Sequence, residues 1–119
     1  MEITYQVCIN SQRQLVDKLR NDITPRLRQL REKRRFDGNT FEIEEEEEKL
    51  EYEIEVLFLR YEGYERMKNN IGNAETIIKE YKEKIDKLTR EYAENKILFR
   101  EYGGKEYEQE PKQTKISGI

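Results

Sequence analysis

Three observations predict an all-α fold for this chain, an elongated antiparallel three-helix bundle or coiled-coil hairpin with a flexible C-terminal tail. Ala, Glu, Lys, Arg and Leu supply 56 of its 119 residues, the make-up of long helices. Apolar residues recur at steps of three and four along three successive segments, which is helical spacing. Facing apolar positions on consecutive segments also have residue numbers that add to a constant, as they must in antiparallel neighbours joined by short turns. The length suits one domain, placed at residues 1–104, with 105–119 as a polar, aperiodic tail containing Pro111.

The first helix is expected over about 11–36. Ser11 and Gln14 have capping-box spacing, and Val16, Leu19, Ile23, Leu27 and Leu30 form one apolar stripe. Pro25 interrupts the segment while the stripe keeps its phase, so a kinked continuous helix is expected there. Asp37-Gly38-Asn39-Thr40 is turn chemistry, and Asn39 or Thr40 can cap the helix that follows.

The second helix is expected over about 40–70, with Leu50, Ile54, Leu57, Tyr61 and Tyr64 at heptad steps. Its Glu run falls in the first turns, where the helix dipole favours negative charge. Gly72-Asn73 separates it from a third helix over about 73–102, whose stripe runs Ile78, Tyr81, Ile85, Leu88, Tyr92, Phe99 and Tyr102 before Gly103-Gly104. Val16/Tyr61, Leu19/Phe58, Ile23/Ile54, Leu27/Leu50 and Phe36/Phe41 all add to 77. Ile54/Tyr92, Leu57/Leu88, Tyr61/Ile85, Tyr64/Tyr81 and Met67/Ile78 add to 145 or 146.

Residues 2–10 admit a second reading. Ile3, Tyr5, Val7 and Ile9 alternate, as do Tyr52, Ile54, Val56 and Phe58, and pairing the two segments would give an α+β fold with a strand at 2–10. The second of these segments is rich in Glu and also fits a heptad, so the all-helical fold comes first.

Charge is sorted along the chain although the net charge is only −3. Residues 11–35 hold nine bases against three acids, and residues 42–62 hold ten Glu against Lys49 and Arg60. A hairpin between the blocks would let them neutralise each other, with Arg28 and Arg31 beside Glu46 and Glu48. Leu27 and Leu30 run through the basic group and need burial, and the overall acidity repels a polyanion, which argues against nucleic acid as a partner.

Enzymatic signals are nearly absent. The chain has no His and only Cys8, which removes disulfide frameworks, zinc sites and His-based acid–base chemistry. Ser11 and Ser117 lack a base, and a di-metal carboxylate bundle needs Glu-x-x-His. Consecutive glutamates at 44–48 spread around a helix and cannot converge on one cation. Cys8 reads as a small buried apolar residue. No catalytic residue, cofactor, metal or small-molecule substrate is expected.

The expected function is therefore non-enzymatic binding of another protein chain, self or heterologous, as in an assembly subunit, adaptor or helical chaperone cofactor. At 100° per residue, Tyr52, Val56, Leu59 and Gly63 fall opposite Leu50, Ile54, Leu57 and Tyr61. If both neighbouring helices pack on one side of the second helix, that opposite face is left over as a docking surface. An alternative rests on the acidic face of Glu44, Glu45, Glu47, Glu51 and Glu55. That face would suit a viral or mobile-element inhibitor that mimics nucleic acid and blocks a basic channel of a host protein. With no apolar stretch long enough for a membrane span and no signal-peptide pattern, a cytoplasmic location is expected.

Overall fold

The computed structural model describes residues 2–102, with side chains through Lys96; the tail assigned to 105–119 and the Gly103-Gly104 stop lie outside the described residues. The described residues are helical almost throughout: α1 (Tyr5–Lys18), a π-helical turn (Leu19–Ile23), α2 (Thr24–Asp37), α3 (Phe41–Lys68), a 3-10 turn (Ile71–Asn73) and α4 (Ala74–Tyr102). α1, the π turn and α2 form one long interrupted helix, so the fold is a bundle of three long helices. No strand occurs among the described residues, and the α+β alternative is set aside.

The first helix starts six residues before Ser11. Thr4 is extended and its Oγ1 accepts the Val7 amide at 3.1 Å, a hydroxyl cap of the first turn. This cap takes residues 5–10 out of the strand reading and buries Cys8 and Gln12. Thr40 caps α3 in the same way, accepting from the Ile43 amide at 3.2 Å. Between α2 and α3, Gly38 adopts φ 81°, a left-handed conformation, while its amide bonds back to the Arg34 carbonyl at 2.9 Å.

The interruption near Pro25 is a wide turn rather than a simple kink. The Thr24 amide bonds to the Leu19 carbonyl, five residues back. One extra residue is thereby absorbed in front of the proline, which has no amide to continue the ladder. The inward residues Cys8, Gln12, Leu15, Leu19, Ile23, Leu27 and Leu30 advance by steps of 4-3-4-4-4-3. In a regular helix the run of fours would carry the stripe off the interface; the π turn restores its phase.

Packing differs from the expectation in one decisive way. α3 lies between its neighbours: α1–α2 covers the face of Ile43, Leu50, Ile54 and Leu57, and α4 covers the opposite face. The result is a slab measuring 56 × 29 × 18 Å. Its thin dimension is less than two helix diameters of about 10–12 Å each. One core comprises Ile23, Leu30, Ile43, Leu50 and Leu57, flanked by Leu15, Leu19, Leu27 and Ile54. The second, at the other end of α3, comprises Cys8, Met67, Ala74, Ile77 and Tyr81, with Ile3, Leu59 and Tyr64 against it. Among the described residues, this second core is where all three long helices meet.

The height register was legible and the facing was not. Gln12 bonds Glu65, a pair that adds to 77, and Tyr52/Tyr92, Gly63/Tyr81 and Arg66/Glu80 add to 144–146. Val16, Phe58, Tyr61 and Ile78, assigned to the core from sequence, are exposed, and so is Phe36. Leu88 is only half-buried.

Candidate functional site

The face of α3 singled out from sequence is the seat of α4. Gly63 is buried, and a Cβ there would stand 3.3 Å from the Tyr81 ring, so the absence of a side chain lets α4 approach. Tyr52 stacks on Tyr92 with ring centroids 4.3 Å apart, and its hydroxyl hydrogen-bonds Thr89 at 2.7 Å. Leu59 packs against the Cys8–Tyr81 core, and Val56 is half-buried. Tyr52, Val56, Leu59 and Gly63 are therefore not a surplus apolar face. The expectation placed both neighbours on one side of α3, and the structure places them on two.

The acidic face is also partly engaged inside the molecule. Glu44 is buried and accepts from the Asn39 amide group at 2.8 Å. Glu47 makes a two-bond pair with Arg34, at 2.6 and 3.1 Å. Glu46 makes another with Arg26, at 2.6 and 2.7 Å. The hydrogen bond from Arg26 holds the Glu46 carboxyl below its ordinary value of 4.5. The two charge blocks do meet across the hairpin, through Arg26 and Arg34 rather than Arg28 and Arg31. Glu45 and Glu51 also have partners within the chain, while Glu55 borders a groove described below.

Other polar groups tie α3 to its neighbours. Buried Gln12 donates to the Glu65 carboxylate at 3.0 Å and to the Tyr61 carbonyl at 3.3 Å. That bond, followed by one from Lys68, lowers the Glu65 pKa. On the other side, the Tyr81 hydroxyl donates to Glu62 at 2.6 Å, and Arg66 pairs with Glu80 at 2.6 Å. The Cys8 thiol is fully buried, and burial pushes its pKa up against a smaller opposing effect of Lys68. A thiol held protonated and sealed from solvent is a packing group rather than a nucleophile.

Two of the surface concavities are lined by described residues. A polar notch of about 480 Å³ sits at the α3–α4 turn, lined by Arg66, Asn69, Asn70, Asn73, Thr76, Ile77 and Glu80. Its guanidinium is already paired with Glu80. The other, about 430 Å³, is a groove between α3 and α4 lined by Glu55, Phe58, Leu59, Lys84, Lys87, Leu88 and Glu91. Its floor is apolar and its rim carries both signs of charge. Phe58 stands over it with 60% of its surface exposed.

The groove is not legible in the sequence, because Phe58 and Leu88 both fall on positions expected in the core. The available signal was Phe58 itself, which lies off the heptad stripe of Leu50, Ile54, Leu57 and Tyr61. Among the described residues, no group of three His, Cys, Asp or Glu side chains is placed to hold a metal ion. No described helix is long and apolar enough to cross a membrane. No family model matches the chain, and neither a curated protein nor a solved structure matches it.

Proposed function

We propose that the protein is a binding module that receives an amphipathic helix of another protein chain in the α3–α4 groove. The observation that carries this reading is Phe58, a large aromatic held out of both cores above an apolar floor of Leu59 and Leu88. Two antiparallel helices present a trough whose shape suits a third helix, the helix-in-groove mode of recognition. An exposed aromatic lining such a trough, with charged residues along the same rim, has the anatomy of an interface anchor. The rim carries Glu55 and Glu91 together with Lys84 and Lys87, so a partner helix with both acidic and basic residues beside its apolar stripe is complementary to it. Such a module would serve an adaptor or assembly subunit.

The test replaces Phe58 with a photo-activatable phenylalanine analogue in the native host, with the same analogue at exposed Lys82 as the control. The expected result is a cross-link from position 58 to a helical segment of a protein identified by mass spectrometry, and none from position 82. Equal or no cross-linking from the two positions overturns the reading.

A further inference from the structure

We infer that the chain occupying the groove is a second copy of this protein, docked antiparallel with α4 against α4; this rests on the groove being the docking surface. The charges along the groove-side edge of α4 are ordered. Lys84, Lys87, Glu91 and Glu94 recur at steps of three, four and three, which places them on one stripe. All four are exposed. Lys84, Lys87 and Glu91 line the groove, and Glu94 continues the stripe by one turn. Lys84 lies 3.7 Å from Glu80, a carboxylate that Arg66 already holds at 2.6 Å. Lys87, Glu91 and Glu94 have no ion pair among the described residues.

A stripe that is basic in its first half and acidic in its second is complementary to itself when reversed. An antiparallel second copy brings Lys87 opposite Glu91 of its mate and Lys84 opposite Glu94, with the two-fold axis at the height of residue 89 on the stripe side of α4. A two-fold contact repeats each pairing, so four Lys–Glu contacts form at once. A parallel arrangement sets Lys on Lys and Glu on Glu, and the charges reject it. Flanking charges fix orientation in this way in helix pairs generally. The register that sets Tyr52 on Tyr92 and Gly63 on Tyr81 puts Phe58 close to the level of Leu88. The exposed ring thereby stands at the height of the symmetry axis, on the α3 wall of the groove, where the mate can cover it. The broad face of the slab, 56 × 29 Å, has room for a standard interface of about 800 Å² per partner.

Sedimentation equilibrium from about 1 to 300 µM decides the matter, a range spanning typical weak self-association constants. The wild type should move with concentration from 14.5 kDa toward twice that mass. The variant Lys84→Glu/Lys87→Glu has four acids on the stripe, and Glu91→Lys/Glu94→Lys has four bases. Each alone should stay monomeric. An equimolar mixture should recover the dimer, and so should the fourfold swap that reverses the whole stripe. Thermal melts by circular dichroism confirm that each variant is folded, as expected for substitutions at exposed sites.

A monomeric wild type, a dimer indifferent to the swaps, or a mixture that fails to recover each overturns the inference. The cross-linking experiment separates the two proposals. A monomeric protein whose position 58 still cross-links to a different protein retains the docking function and loses the second copy. Absence of any cross-link from position 58 removes the docking function itself.

Discussion

The two sides of α3 are held by different chemistry. Against α1–α2, contact is made by branched aliphatic side chains, Ile23, Leu30, Ile43, Leu50 and Leu57, closed over by Arg26–Glu46 and Arg34–Glu47. Against α4, it is made by tyrosines and a glycine: Tyr81 on Gly63, Tyr52 on Tyr92, and tyrosine hydroxyls on Glu62 and Thr89. Aliphatic packing is non-directional and tolerates a sliding register, so the first side needs its charge pairs to fix orientation. Ring stacking and hydroxyl bonds are directional and fix the second side themselves.

The largest expected effect breaks the first side. Deleting Arg13 from α1 turns every later residue of the long helix by about 100°, which removes either Cys8 and Gln12 or Ile23 and Leu30 from contact with α3. Cooperative thermal unfolding should be lost in a circular dichroism melt. Deleting Asn21 together with Pro25→Ala should behave oppositely. It removes the extra residue that the π turn absorbs, converting the inward steps to an even 4-3-4-3-4-3, and a cooperative melt should persist. If both deletions unfold the protein alike, the wide turn is not what keeps the stripe in phase.

Leu30→Ala should cost about 2–5 kcal/mol, the usual result of emptying a buried leucine site, as read by denaturant titration. On the other side of α3, Gly63→Val should cost about 1–3 kcal/mol through overpacking. It should also disrupt the tyrosine stack, because the added atoms meet the Tyr81 ring. The stack is read by near-UV circular dichroism, which Leu30→Ala should perturb much less. A reversal of that pattern would show that the two sides are not independently held.

The smallest effects concern charge. Glu46, Glu65 and Glu80 have folded-state values below the ordinary 4.5, each chiefly through a hydrogen bond: from Arg26, from Gln12 and from Arg66, respectively. A depressed carboxylate contributes stability that is complete above 4.5 and is lost as pH falls through the lowered value. The melting temperature should therefore decline modestly as pH is lowered from about 6 to about 3. Glu47→Gln should cost no more than about 1 kcal/mol, because the pair with Arg34 is partly solvated. A much larger loss would mean that the charge pairs, rather than the aliphatic residues, hold α1–α2 in place.

The groove was less legible in the sequence than the fold. Its charged rim reads in the sequence as solvated helix surface, since Lys84, Lys87 and Glu91 lie outside the Tyr81, Ile85, Leu88 and Tyr92 stripe of α4. Of its apolar residues, Leu88 reads as core because it fits the heptad stripe of α4, Phe58 reads as core because it completes a constant-sum pair with Leu19, and Leu59 reads as part of the opposite face of α3. Spacing reports which residues share a face, whereas exposure depends on how many other elements arrive to cover it.

What the sequence determined by itself is local and one-dimensional. Heptad steps set the helices, Gly38 and Thr40 set the first turn, and opposed charge blocks joined by that turn set the first hairpin. Constant sums gave the heights at which residues meet, within a residue or so. What only the tertiary structure decided is angular. α3 carries two apolar faces, and nothing in its own residues says which neighbour takes which face, because burial is non-directional. Gly63 admits Tyr81 on one side, while the Leu50–Leu57 stripe admits Leu30 on the other, so α3 lies between its neighbours instead of at the edge of a closed triangle. That choice flattened the bundle, covered the face that the sequence offered as a docking surface, and left Phe58 at the surface beside a groove that no single helix contains.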